Sequence, residues 1–191
     1  MNKKNIYLTS DTHFNHANLI SMCPESRGHF SSVEDMNESI IEYWNMTIPP
    51  DATVYHLGDL CMGQIKDIEG ILKRLNGHII LIRGNHDYSK RRSEYIKCGV
   101  EIKDIEYISY KGKYFILSHI PIGNPECMAH LIGPNSEVWN LHGHTHQYTY
   151  FSETPNTFHV GLDSNDMKPI SLDEVYNHIR FHEEYKIEEF T

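Results

Sequence analysis

Seven short runs rich in β-branched and aromatic residues recur along the chain: IYLTS (6–10), TVYHLG (53–58), HIILIRG (78–84), EIKDIEYISY (101–110), KYFILSH (113–119), VWNLHG (138–143) and TFHVGL (157–162). Runs of this length and composition read as strands, and YKGKY around Gly112 reads as a tight hairpin turn. Helical patterns lie between them. Val33, Met36, Ile40 and Trp44 fall on one stripe behind a Ser31–Glu34 capping box, and Ile65, Ile68, Leu72 and Leu75 make a second. Near the end, Ser171 and Glu174 cap a helix that buries Leu172, Val175 and Ile179. The early alternation of strand and helix predicts α/β layering, with the later strands running more as hairpins. No repeat or linker interrupts the pattern, so residues 1–191 are expected to form a single mixed-sheet α/β domain.

Composition removes several function classes. The net charge of -9 argues against a protein that tracks a long nucleic-acid backbone, which shows a basic stripe. The one basic run, Lys90 to Arg92, is expected on a solvated helix face. Cys23, Cys61, Cys98 and Cys127 are scattered without a CxxC pair, which speaks against a thiolate zinc site and a disulfide framework. The N-terminal stretch lacks the apolar region of a secretion signal, and no apolar run approaches the ~20 residues that span a bilayer. The expectation is a soluble, cytoplasmic protein without membrane contact.

The strands end unusually. Five of them release into SDTH, LGDL, RGNHD, LSH and HGHTH, which places Asp11, His13, Asp59, Asn85, His86, Asp87, His119, His144 and His146 at strand ends. Taken singly, each is an ordinary turn residue, helix cap or strand-edge histidine. Independent turn chemistry does not repeatedly select ligand side chains at corresponding positions, whereas sites in open α/β sheets collect outside the carboxyl ends of strands. Nitrogen and oxygen donors without sulfur suit Mn, Fe or Zn better than Ca. Seven candidate ligands also exceed the four of a structural zinc, which favours two adjacent metals sharing a carboxylate.

In order along the chain, D-x-H (Asp11, His13), G-D (Gly58, Asp59), G-N-H-D (Gly84 to Asp87), His119 and G-H-x-H (Gly143 to His146) resemble the calcineurin-like metallophosphoesterases, in particular small single-domain bacterial and phage members. The resemblance implies a four-layer α/β/β/α sandwich of two mixed sheets flanked by helices, with no separate cap domain. It implies that Asp11, His13 and His146 hold one divalent transition-metal ion. Asn85, His119 and His144 hold the other, and Asp59 bridges both. Manganese is the foremost candidate, with iron, zinc or nickel as alternatives. His142 has no family role and is assigned to packing or to support of the ligands. In the implied reaction a water shared by the two ions attacks phosphorus in line, and His86 protonates the leaving alkoxide. Asp87 either holds the other ring nitrogen of His86 or caps the next helix. His16 and Asn18, just past the first block, and Arg27 in CPESRGHF are expected to contact substrate, the arginine by forking onto a phosphate oxygen.

GDLCMG and GNHD stand where Ser/Thr protein phosphatases carry a DRG pattern and GNHE, so phosphodiesters are favoured over monoesters. The site is expected to be open, rimmed by residues 14–31 and by the loop 120–137. The expected partner is a small phosphoester or nucleotide-like substrate. Two rival readings are a nuclease acting on short single-stranded DNA or RNA ends and a non-catalytic metal-binding module on the same fold; the complete ligand set and His86 speak against the second.

Overall fold

A computed structural model of the protein describes residues 5–129, 133 and 136–188; the ends of the expected domain and part of the expected rim 120–137 lie outside the described residues. Strands β1 (Ile6–Thr9), β2 (Thr53–His56), β3 (His78–Ile82) and β4 (Glu101–Lys103) pair in parallel in the order β4-β3-β2-β1, and β9 (Ile170–Ser171) adds antiparallel to β1. A second sheet has the order β5-β6-β7-β8, from Glu106–Tyr110, Lys113–Leu117, Val138–His142 and Thr157–His159. Among the described residues of this sheet, β5–β6 is the one hairpin; β6–β7 and β7–β8 are parallel, which corrects the hairpin expectation for the later strands. Lys111 and Gly112, at φ 48° and 89°, make the hairpin turn, because positive φ at both central positions matches the twist of the flanking strands.

Helices α1 (Leu19–Met22), α2 (Pro24–Arg27), α3 (Val33–Thr47), α4 (Ile68–Leu72), α5 (Ser89–Lys97) and α6 (Leu172–Glu188) complete an α/β fold of two mixed sheets flanked by helices. Met36, Ile40, Trp44, Ile68, Leu72 and Tyr95 bury against Val54, Ile79 and Leu81 on one face of the first sheet. Its other face, through Leu8, Leu57, Ile80 and Ile82, meets Phe115, Leu117, Trp139, Leu141 and Phe158, and Val175 and Ile179 of α6 join that core. Among the described residues, no helix is long and apolar enough to cross a membrane.

Several local expectations shift. The cap of α3 is one residue later than the Ser31–Glu34 pattern: Ser32 Oγ accepts from Asp35 N (3.1 Å), and the Asp35 carboxylate accepts from the backbone N–H and hydroxyl of Ser31 (2.9 Å each). The Ser171–Glu174 box forms as expected. Arg91 is not on a solvated face; it is buried and donates to the carbonyls of Cys61 and Met62. The expected strand 101–110 is two strands in different sheets, and the chain crosses between them at residues 104–105.

His56 and His159 lie wholly buried, and burial holds both imidazoles near pKa 3, hence neutral. The unfolded chain protonates them near pH 6.5, so it binds more protons than the folded chain below that pH. Their contribution to stability is complete above about pH 6.5 and is lost as pH falls toward 3. Between pH 7.5 and 5, chemical denaturation is expected to show a loss on the order of 2 kcal/mol per ring. A flat profile over that range contradicts this burial of neutral rings.

Candidate metal centre

The five blocks of candidate ligands follow the carboxyl ends of β1, β2, β3, β6 and β7 and come into contact with one another there. Asp11, His13, Asp59, His144 and His146 each have positive φ, between 46° and 71°. Non-glycine residues rarely adopt that region, and clusters of such strain mark sites where side-chain direction outweighs backbone preference. Neighbouring glycines give the room. A Cβ on Gly84 stands 2.2 Å from Asp59 Oδ1, and one on Gly143 stands 2.5 Å from Asp11 Oδ2.

Two groups of candidate ligands consist entirely of residues expected from the sequence; a third brings Cys23 and Asp163 to His146. Atoms of Asp11, His13 and His146 lie within 4.8 Å of one another, as do atoms of Asp11, Asp59 and His119. Asp59 Oδ2 is 3.5 Å from both His13 Nε2 and His119 Nε2, between the two groups, while Asp59 Oδ1 accepts from the backbone N–H of His86 at 2.8 Å. His119 Nδ1 donates to the Leu57 carbonyl at 2.8 Å, which leaves Nε2 of the neutral ring unprotonated, with its lone pair available. That lone pair faces Asn85 Oδ1 at 2.9 Å and His144 Nδ1 at 3.2 Å.

The donor set fits divalent cations. Asp11 Oδ1 and His13 Nε2 are buried without a hydrogen-bond partner, an arrangement that costs free energy unless something positive lies between them. Burial, then the nearby charges of His146 and Arg27, holds the His13 ring well below its usual pKa, hence neutral as a ligand must be.

His86 is 41% exposed, with Nε2 3.8 Å from Asp59 Oδ2. It lines a cavity of about 310 Å³ together with His13, His16, Asn85, His144 and His146. Leu19 and Met22 wall the same cavity, so part of the expected rim 14–31 is in place.

Three expected roles change. Asn18 is exposed at the start of α1 and outside the cavity lining, because α1 turns its side chain to solvent. Asp87 is fully buried and does not hold His86. Its carboxylate accepts from the backbone N–H groups of Asp59 (2.7 Å), Leu60 (3.2 Å) and Gly84 (2.9 Å) and from Tyr95 Oη (3.2 Å), tying two liganding loops together. Arg27 is fully buried and unable to reach a substrate. Its Nε donates to Asp163 Oδ1 at 2.8 Å and its Nη2 to Asp163 Oδ2 at 3.0 Å and to the Asp11 carbonyl at 2.7 Å.

Asp163 was not singled out in the sequence. Its Oδ2 also accepts from His146 Nδ1 at 2.8 Å, which turns His146 Nε2 toward Asp11 Oδ1, 3.9 Å away. Burial alone raises this carboxyl, but the bonds from His146, Arg27 and Ser26 hold it far below the carboxylate range. His142 is buried, with Nδ1 2.9 Å from the Gly143 carbonyl, and belongs to neither ligand group among the described residues.

The chain is similar to known proteins over most of its length. It is 38% identical over 180 residues to the uncharacterized protein MJ1445 of Methanocaldococcus jannaschii, covering 91% of this chain and 90% of the relative. It is 28% identical over 212 residues to the Gene 66 protein of Mycobacterium phage L5, covering 94% and 97%. The solved structure of AQ665 from Aquifex aeolicus, a protein of unknown function, superposes with a TM-score of 0.65 at 28% identity, covering 90% of this chain and 97% of that one. Residues 5–161 match the calcineurin-like phosphoesterase superfamily domain, and with the strand-end site just described this chain belongs to that superfamily.

Proposed function

We propose that the protein hydrolyses small phosphodiesters, with monoesters as poorer substrates, using two divalent transition-metal ions, manganese foremost. Asp11, His13 and His146 hold one ion, Asn85, His119 and His144 the other, and Asp59 Oδ2 lies between. The observation that carries this reading is the pair of buried, unpartnered ligand atoms, Asp11 Oδ1 and His13 Nε2. When bound, such ions polarise a phosphoryl oxygen and lower the pKa of coordinated water.

The chain's own residues do the rest. His86, half exposed at the cavity wall, donates a proton to the leaving oxygen. His16, on the same wall, faces the substrate's other substituent. The cavity is open and small, which suits a small ester or nucleotide-like substrate. Cys23, Cys61 and Cys98 form no disulfide, which agrees with action in a reducing cytoplasm.

Purified protein with added Mn²⁺ is expected to turn over bis(p-nitrophenyl) phosphate faster than p-nitrophenyl phosphate. A chelator is expected to abolish both activities, and Mn²⁺ to restore them. Turnover that survives removal of metal, or a preference for the monoester, sinks the corresponding part of the reading.

A further inference from the structure

Bordering the metal-centre cavity at Asn85 is a second cavity of about 350 Å³, lined by residues that include Arg83, Asp104, His119 and Ile120. Asn85 borders both cavities, and His119, a candidate ligand, forms part of this one. Arg83 stands two residues before Asn85, at the end of β3, and its backbone N–H donates to the Lys103 carbonyl at 2.8 Å. The base of this side chain is therefore fixed relative to the ligand loop.

The guanidinium is only partly used. Nε donates to Asp104 Oδ1 at 2.7 Å, with the two side chains 44% and 71% exposed. A pair this open is worth little to stability, so it serves to aim the arginine more than to neutralise it. The terminal nitrogens of Arg83 present a planar fork, the geometry that grips phosphate oxygens in pairs. Ile120, 57% exposed, offers an apolar lip on the same cavity.

We infer that Arg83 and this cavity form a second anion subsite, which takes a further phosphate carried by a substrate whose scissile phosphoester sits at the metal centre. The inference rests on the proposed phosphoesterase reading for the identity of the first site. It narrows the substrate class to small esters bearing two phosphate groups close together, with an apolar portion against Ile120. Arg27, the arginine expected from the sequence to bind phosphate, is buried, and Arg83 in the second cavity supplies that chemistry instead.

Binding separates this proposal from catalysis. In the presence of Mn²⁺, titration calorimetry on the wild type is expected to show thymidine 3′,5′-bisphosphate binding about tenfold more tightly than thymidine 5′-phosphate, the size of a charge-assisted bond to phosphate. In Arg83→Gln the ratio is expected to fall to about one. Arg83→Lys, a point charge without the fork, is expected to keep part of it. Equal affinities in the wild type, or a ratio that survives Arg83→Gln, overturns the subsite. A wild type that shows the Arg83-dependent ratio but hydrolyses neither chromogenic ester keeps the subsite and overturns the hydrolytic reading instead.

Discussion

Replacing His86 by alanine is expected to lower turnover of an alkyl phosphodiester by a factor of about 10² to 10⁴, the usual worth of a positioned general acid, with metal content unchanged. The backbone of residue 86, not its ring, donates to Asp59 Oδ1, so the carboxylate between the two ligand groups keeps its support in the variant. The ring itself is 41% exposed and is neither wedged into the core nor part of either ligand group. The test gains force from the leaving group. A nitrophenolate departs without a proton, whereas an alkoxide needs one, so the loss should be markedly smaller for a nitrophenyl ester than for an alkyl ester. An equal loss on both substrates assigns His86 to substrate positioning and removes the acid role. A loss of metal together with activity removes it too.

The sequence was most informative where chemistry and topology coincide. Carboxylate, amide and imidazole groups at five strand ends were legible because a strand end fixes where its side chain emerges, and the two sheets bring those ends together. The left-handed backbone of Asp11, His13, Asp59, His144 and His146 was not legible, since Asp and His visit that region more often than other side chains but still rarely, and the assembled loops hold it. The split of 101–110 was hidden for a related reason. Residues on both sides of Asp104 and Ile105 keep a strand-like composition, and the change of sheet is a tertiary event. Asp87 illustrates a further limit: a carboxylate beside an acid histidine reads as its partner, yet three backbone N–H groups claim it. Arg27 and Asp163 are 136 residues apart, and nothing in either neighbourhood announces the other.

That pair sets the largest expected effect on stability. Asp163→Ala strands the Arg27 guanidinium in a site with no solvent access, since both side chains are 0% exposed. Removing one partner of a buried ion pair costs about 3–5 kcal/mol, a large part of the roughly 5–15 kcal/mol that holds a domain folded. The same change takes the acceptor from His146 Nδ1, freeing the ring to rotate or change tautomer; loss of such an orienting partner lowers metal affinity about 10- to 100-fold. The two consequences separate in the double variant Arg27→Met with Asp163→Leu. Apolar side chains of similar bulk remove the stranded charge, so stability should recover in part, short of wild type because the Asp11 carbonyl loses its donor. Metal affinity should stay low, because His146 still lacks an acceptor. Denaturation and metal titration on the three proteins give both quantities. If the double variant regains metal affinity along with stability, Asp163 acts through packing alone and does not orient His146; if it is no more stable than Asp163→Ala, the buried charge is not what the single variant loses.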